Sequence, residues 1–230
     1  MRIGIVVFPG TWSDEDTHMA FSDVLGAECK YIWHKDTNLN DIDCVVLPGG
    51  FSYGDYLRTG AIARFSPIMD SVLKFAKSGK PVIGICNGFQ ILCESGLLPG
   101  VLMRNECLEF RCEWSNLRVE TNNSIFSNMA TSGQILKIPI SHGEGRFFIG
   151  SDELEELEVK GQILFRYSSL TGNLSYVDNP NGSLNNIAGI TNIKGNVLGM
   201  MPHPERASKK LLGSDDGLII FNSILNSMKV

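Results

Sequence analysis

The 230-residue chain lacks the features that mark several classes of protein. No apolar run approaches the ~18 residues that cross a membrane, and the net charge of −5 comes with no block of Lys and Arg that would bind nucleic acid. The apolar segment at residues 3–8 is also shorter than a signal-peptide core of ~7–15 residues. We therefore expect a cytoplasmic protein with neither a nucleic-acid nor a membrane partner.

Cysteine pairs and a phosphate-binding loop are also missing. The six cysteines are scattered at positions 29, 44, 86, 93, 107 and 112, and none forms a C-x-x-C pair. This pattern favours free thiols in a reducing compartment over a disulfide framework or a zinc site, and we expect no bound metal. The chain contains no G-x-x-x-x-G-K-[ST] sequence, so we expect that it does not bind a nucleotide itself.

The order of the apolar segments indicates an α/β fold. The composition, 43% apolar and 20% charged, is that of a globular protein rather than a disordered one. In the first half, apolar runs without polar alternation are separated by helical segments, which is typical of a parallel sheet covered on both faces. The predicted strands are 3–8, 29–33, 44–47 and 82–85, and the predicted helices are 14–25 and 66–77.

The second half has shorter predicted strands. They lie at residues 117–120, 136–139, 146–149, 163–167, 186–191 and 197–200, with helices at 152–159 and 215–228. No repeat or linker divides the chain, so we expect a single domain over residues 1–230. The prediction is a flavodoxin-like open sheet, largely parallel, with helices on both faces and extra antiparallel strands in the second half.

The most informative motif is G-I-C-N-G at residues 84–88, between a predicted strand and a helical segment. It is the cysteine version of the nucleophile elbow G-x-S-x-G. Side chains at the two flanking positions would collide in this sharp turn, so only Gly84 and Gly88 fit there. The turn would place Cys86 at a helix N-terminus, where partial positive charge favours a thiolate. The alternative is a buried cysteine beside ordinary turn glycines.

A nucleophilic cysteine needs a base, and the base needs an orienting partner. We expect His18 and His34 at the surface. His203 lies between two prolines, which disfavour helix before them, and residues two apart in an extended segment point to the same side. Glu205 would then accept a hydrogen bond from one ring nitrogen and leave the other for Cys86. The alternative is a turn with a solvated histidine and glutamate.

The tetrahedral intermediate of such a reaction needs donors for its oxyanion. The backbone N–H of Asn87, directly after the nucleophile, is one candidate. The second would come from the glycine-rich loop P-G-G-F at residues 48–51, which follows a neighbouring strand. A plain strand-to-helix turn is the alternative for this loop.

Several motifs carry a resemblance to a known family. G-I-C-N-G-F-Q at 84–90 and P-H-P-E at 202–205 resemble the class I (triad) glutamine amidotransferases. Within them, the chain is similar to the glutaminase subunits of phosphoribosylformylglycinamidine synthase, an enzyme of purine biosynthesis. The motifs of that branch are G-G-F-S-Y-G-D-Y-L-R at 49–58, H-G-E-G-R-F at 142–147, N-P-N-G-S at 179–183 and G-N-V-L-G-M-M-P-H-P-E-R at 195–206.

The resemblance implies that the chain releases ammonia from glutamine. Cys86 would be the nucleophile, His203 the acid and base, and Glu205 its orienting partner. Gly50 and Asn87 would form the oxyanion hole. The glutamine-binding residues implied are Gly49, Phe51, Gln90, His142, Gly143 and Glu144.

The resemblance also implies partners. The ammonia would pass to a synthetase subunit that converts formylglycinamide ribonucleotide to formylglycinamidine ribonucleotide, with ATP and Mg bound on that subunit and no cofactor on this chain. A small accessory subunit is expected as well. Two other classes remain open: a non-catalytic regulatory protein on the same scaffold, and a cysteine hydrolase or redox-stress protein with a similar elbow.

Overall fold

A nine-stranded mixed sheet forms the centre of the molecule. The structure is a computed structural model that describes residues 1–228. The strands within that range are β1 (Arg2–Val7), β2 (Glu28–Trp33), β3 (Cys44–Leu47), β4 (Val82–Ile85), β5 (Val101–Met103), β6 (Arg111–Val119), β7 (Ile135–His142), β8 (Arg146–Phe148), β9 (Ile163–Ser168), β10 (Ile187–Thr191) and β11 (Val197–Met200).

The strand order in the sheet is β2-β1-β3-β4-β11-β10-β9-β6-β7. The strands from β2 to β11 in this order run parallel to their neighbours, and the pairs from β11 to β7 are antiparallel. The strands β5 and β8 form a separate antiparallel pair. The predicted α/β fold is confirmed, with its parallel part followed by an antiparallel extension from the second half of the chain.

The helices pack on this sheet. They are α1 (Asp14–His18), α2 (Pro67–Lys77), α3 (Asn87–Glu94), α4 (Ser151–Val159) and α5 (Gly217–Ser227). The segment predicted as one helix at 14–25 begins as α1 and continues as a wider π-helix over Met19–Val24. Phe21 of the π-helix packs against Phe221 of α5, with 4.4 Å between the ring centroids, and this contact holds the first and last helices together.

The middle of the sheet is the most deeply buried part. Every residue of β3, β4 and β11 is buried, as expected for parallel strands covered by helices. Gly84 of β4 pairs with Leu47 on one side and with Gly199 on the other. Because parallel strands end at one edge of a sheet, the residues that follow β3, β4 and β11 lie near one another.

His34 is not at the surface, contrary to the sequence-based expectation. Only 6% of the residue is exposed, and its Nδ1 lies 2.8 Å from the hydroxyl of Tyr53. Its ring packs against those of Phe8, Trp33 and Tyr53. An aromatic cluster that the sequence does not reveal therefore buries this histidine and satisfies its polar atom.

Across residues 1–228, every helix is too short or too polar to traverse a lipid bilayer.

Candidate active site

Three neighbouring parallel strands end at the same place. Gly49 and Gly50 follow β3, Cys86 follows β4, and His203 follows β11. A Cβ atom built on Gly49 would lie 2.7 Å from Cε1 of His203 and 3.4 Å from Cβ of Cys86. The topology thus brings together the glycine loop, the cysteine and the histidine that the sequence motifs singled out.

Cys86 lies in the strained turn that its motif predicts. Its φ of 51° is in the left-handed region that residues with a side chain rarely adopt. Its backbone N–H donates to the carbonyl of Met200, 2.8 Å away, and it is the N-cap of α3. A Cβ atom on Gly88 would lie 1.9 Å from the carbonyl oxygen of Leu47, and one on Gly84 would lie 2.6 Å from the carbonyl carbon of Gly88.

The thiol of Cys86 is nearly buried but faces open space. The residue is 5% exposed, and its Sγ lies 3.6 Å from the carbonyl oxygen of Ser141. Two adjoining cavities, of about 300 and 180 Å³, both reach this residue. The walls that the two cavities share are Gly50, Phe51, Cys86, Phe110 and Ser141. A small substrate can therefore reach the sulfur.

His203 and Glu205 form a buried pair. Nδ1 of His203 lies 2.5 Å from Oε1 of Glu205, and the two residues are 2% and 1% exposed. Nε2 of His203 forms no hydrogen bond within residues 1–228, and His203 lines the larger of the two cavities with Cys86. This leaves one ring nitrogen for chemistry at the sulfur.

The local backbone brings this pair together in a different way from the one expected. The extended conformation stops at His203, and a 3-10 turn over Pro204–Ala207 follows it. Pro204 occupies the first position of that turn, where its fixed φ and missing N–H are tolerated. Glu205 therefore approaches His203 through a turn and not by alternation along a strand.

The charges around His203 determine its protonation state. Burial alone lowers the pKa of His203, but the carboxylate of Glu205 and then the Cys86 sulfur outweigh burial and raise it to about 10. The imidazole is therefore protonated at neutral pH when the neighbouring sulfur is a thiolate, and an adjacent imidazolium stabilises a thiolate. The site can therefore hold a charged imidazole beside the Cys86 sulfur.

The backbone is constrained at Gly50 and Asn87, the two residues implied to form the oxyanion hole. Gly50 has a φ of 149°, and a Cβ atom there would lie 2.6 Å from the backbone nitrogen of Trp12. Asn87 is the first residue of α3, so its backbone N–H has no partner within the helix. The side-chain amide of Asn87 accepts a hydrogen bond from the N–H of Ser52 (3.1 Å) and donates one to Gln90 (2.9 Å). These two bonds hold the glycine-rich loop against the start of α3.

The smaller cavity contains most of the residues implied to bind glutamine. Its walls include Phe51, Gln90, His142, Gly143 and Glu144. Gly49 is not among them. Its carbonyl accepts from the backbone N–H groups of Trp12 and Ser13 at 3.0 Å, and it leaves room for the His203 ring. The structure thus gives Gly49 a packing role beneath the site.

Gln90 and His142 are fixed by hydrogen bonds within the protein. The side chain of Gln90 donates to the carbonyl of Glu144, 2.6 Å away. Nδ1 of His142 lies 3.1 Å from Oδ1 of Asn105, and Nε2 lies 3.4 Å from Nδ2 of Asn181. Burial, and then the charge on His203, lower the pKa of His142 to about 3. His142 is therefore neutral at neutral pH and shapes the cavity wall.

The cavity also contains residues to which the motifs assigned no role. Asp55, Thr59, Phe110 and Ser141 line it together with Cys86. Asp55 belongs to the G-G-F-S-Y-G-D motif that carries the family resemblance. Its place in that motif is the sequence feature that could have identified it as a site residue. The other three lie where only the folded chain brings them to the site.

Comparison with known proteins identifies the family of the chain. The family model of the CobB/CobQ-like glutamine amidotransferase domain matches residues 1–215, so the chain belongs to that family.

Similar proteins within the family are subunits of one enzyme. The phosphoribosylformylglycinamidine synthase subunit PurQ of Moorella thermoacetica is 55% identical over 226 residues, which cover 98% of this chain and 96% of that protein. The PurQ subunit of Salinibacter ruber is 54% identical over 229 residues, with 100% and 97% covered. A chain of the PurLQS structure from Thermotoga maritima has a TM-score of 0.88 and 42% identity, covering 99% of this chain and 98% of that one.

Proposed function

We propose that this chain is the glutamine-hydrolysing subunit of a phosphoribosylformylglycinamidine synthase, and that residues 1–230 form one class I amidotransferase domain. The observation that carries the proposal is the buried His203–Glu205 pair beside Cys86, at the end of a cavity. The identity above 50% to PurQ subunits over nearly the whole chain supports the particular enzyme.

The reaction begins with attack by the Cys86 thiolate on the side-chain amide carbon of glutamine. The carbonyl π electrons move to oxygen, and the oxyanion forms against the N–H groups of Gly50 and Asn87. Protonated His203 gives its proton to the amide nitrogen, because that nitrogen leaves poorly as an anion. The C–N bond then breaks, and ammonia and a glutamyl thioester result.

Water completes the cycle. His203, now neutral, removes a proton from the attacking water, and Glu205 stabilises the imidazolium that forms again. The second tetrahedral intermediate collapses with loss of the thiolate, and glutamate leaves. Each turnover thus consumes one water and restores the starting protonation of the pair.

We further propose a synthetase subunit as the acceptor of the ammonia. That subunit would bind ATP and Mg and convert formylglycinamide ribonucleotide to formylglycinamidine ribonucleotide, with a small accessory subunit in the complex and no cofactor on this chain. The likeness to a chain of PurLQS over its whole length supports an assembly of this kind. The six free cysteines support the cytoplasm, a reducing compartment, as its location.

Transfer of isotope from glutamine tests this function. The complex with the synthetase is given ATP, formylglycinamide ribonucleotide and glutamine labelled with ¹⁵N in the side-chain amide, in the presence of unlabelled ammonium chloride. We expect ¹⁵N in the amidine product, measured by mass spectrometry, because ammonia passes between the subunits. Product that carries only the unlabelled nitrogen, or labelled glutamine that is not consumed, would refute the proposed function.

A further inference from the structure

The cavity in front of Cys86 has two carboxylates in its wall, those of Asp55 and Glu144. They differ in their surroundings. Oε2 of Glu144 accepts a hydrogen bond from the hydroxyl of Thr59 at 3.2 Å, and Oε1 lies 3.6 Å from Nε of Arg104. The negative charge of Glu144 is therefore partly stabilised by Thr59 and Arg104.

Asp55 lacks such compensation. Its Oδ1 is buried, and no donor within residues 1–228 forms a hydrogen bond with it. A buried acceptor without a donor destabilises the folded state, so such atoms are rare and usually have a function. The oxygen lies in the wall of a cavity that the nucleophile also faces, which is where a bound substrate would supply a donor.

The electrostatics of the cavity favour a cationic group. Burial, and then the charge of Glu144, raise the pKa of Asp55 to about 6. The pKa rises because the ionised carboxylate is poorly stabilised by its surroundings. A positively charged donor placed between the two carboxylates would stabilise both of them.

The backbone around Asp55 is held in an unfavourable conformation. Tyr53, Asp55 and Leu57 have φ values of 55°, 55° and 70°, so three residues with side chains occupy the left-handed region within one loop. Strain of this kind is found mainly where a site requires a particular geometry. Asp55 lines the cavity, and Leu57 in the same loop is exposed to solvent.

We propose that Asp55, together with Glu144, binds the α-ammonium group of glutamine and so makes the site selective for amides of α-amino acids. The inference rests on the proposed function, because it names how that function's substrate is recognised. Asp55 is a specificity-determining residue in this account. It lies at the end of the substrate remote from the reacting amide.

The test compares two substrates in the complex with the synthetase. One is glutamine, and the other is glutaramate, which has the same amide and carboxylate but no α-amino group. For Asp55→Asn we expect kcat/KM for glutamine to fall about 10- to 100-fold, mainly through KM, because one hydrogen bond to a charged group is lost. The kcat/KM for glutaramate should change less than about threefold, since that substrate has no ammonium group for Asp55 to bind.

Two further variants make the comparison specific. Asp55→Glu keeps the carboxylate and should retain more of the preference for glutamine than Asp55→Asn does. Asp70→Asn removes a carboxylate from the exposed side of α2. It should change kcat/KM for neither substrate. Synthesis from ammonium chloride reports whether each variant still folds and assembles.

The outcomes separate this inference from the proposed function. If wild-type complex does not release ammonia from glutamine, the proposed function is wrong and the inference falls with it. Suppose that the wild type consumes glutamine but Asp55→Asn lowers kcat/KM for both substrates equally, or for neither. Only the inference is then overturned. Loss of the preference in Asp55→Asn and its retention in Asp55→Glu would support it.

Discussion

Cys86→Ala should abolish glutamine-dependent synthesis while leaving ammonia-dependent synthesis intact. We expect the rate with glutamine to fall on the order of 10⁴-fold or more, because loss of a nucleophile removes the covalent route altogether. The rate with ammonium chloride should stay within about twofold of wild type, since that nitrogen enters the synthetase without the thioester. Product formation by the purified complex with each nitrogen source measures both rates.

Cys107→Ala is the matched control for this experiment. Cys107 is an exposed free thiol outside the two cavities that Cys86 faces. Its replacement should change neither rate. Equal loss of both activities in Cys86→Ala would mean that the residue supports the fold or the assembly, and the nucleophile would have to be sought elsewhere.

Gly88→Ala should destabilise the whole domain. The new Cβ would lie 1.9 Å from the carbonyl oxygen of Leu47 and 2.7 Å from its carbonyl carbon. Both neighbours are backbone atoms of a central buried strand, so α3 must move away from β3 to relieve the clash. We expect the free energy of unfolding to fall by about 4 kcal/mol or more, together with loss of glutaminase activity as Cys86 is displaced. Denaturant unfolding followed by circular dichroism measures the loss.

Gly150→Ala provides the comparison at a permissive glycine. Gly150 has a φ of −63°, and the nearest atom to an added Cβ is the flexible carboxylate of Glu153 at 3.2 Å. The stability should change by less than about 1 kcal/mol. If Gly88→Ala unfolds at the same denaturant concentration as wild type, the close contact between β3 and α3 is not present in the protein.

The parallel centre of the sheet could be predicted from local sequence alone. The strands β3, β4 and β11 have the bounds that the apolar runs 44–47, 82–85 and 197–200 predict. Each run is fully buried and is bounded by residues that end strands. The apolar residues and the residues that flank them therefore predict the same strand bounds. The edge at which the site lies follows from the parallel direction of these strands.

The antiparallel extension was harder to predict. The strand β6 covers Arg111–Val119, but its first four residues are exposed or half-buried, and only the segment at 117–120 was recognised. The first four residues of β6 lack the buried side chains that mark a core strand, so their pairing with β7 is visible only in the folded chain. The three-residue strand β5 likewise has no buried residue and is not predicted.

The site shows a similar division. The motifs around Cys86 and His203 predicted which side chains meet, because flanking glycines and prolines restrict the backbone there. The means by which Glu205 reaches His203, a 3-10 turn, was not predicted. Asp55 belongs to a motif that carries the family resemblance, but its buried oxygen and its left-handed φ are properties of the fold. They cannot be predicted for a residue type that usually marks an ordinary turn.

Mass spectrometry of acid-quenched complex shows whether Cys86 forms the covalent intermediate. During turnover with glutamine, we expect a glutamyl group in thioester linkage to Cys86, located by peptide mapping and removed by hydroxylamine. The claim is contradicted if ammonia is released at the normal rate while Cys86 stays unmodified, or if the glutamyl group maps to another residue.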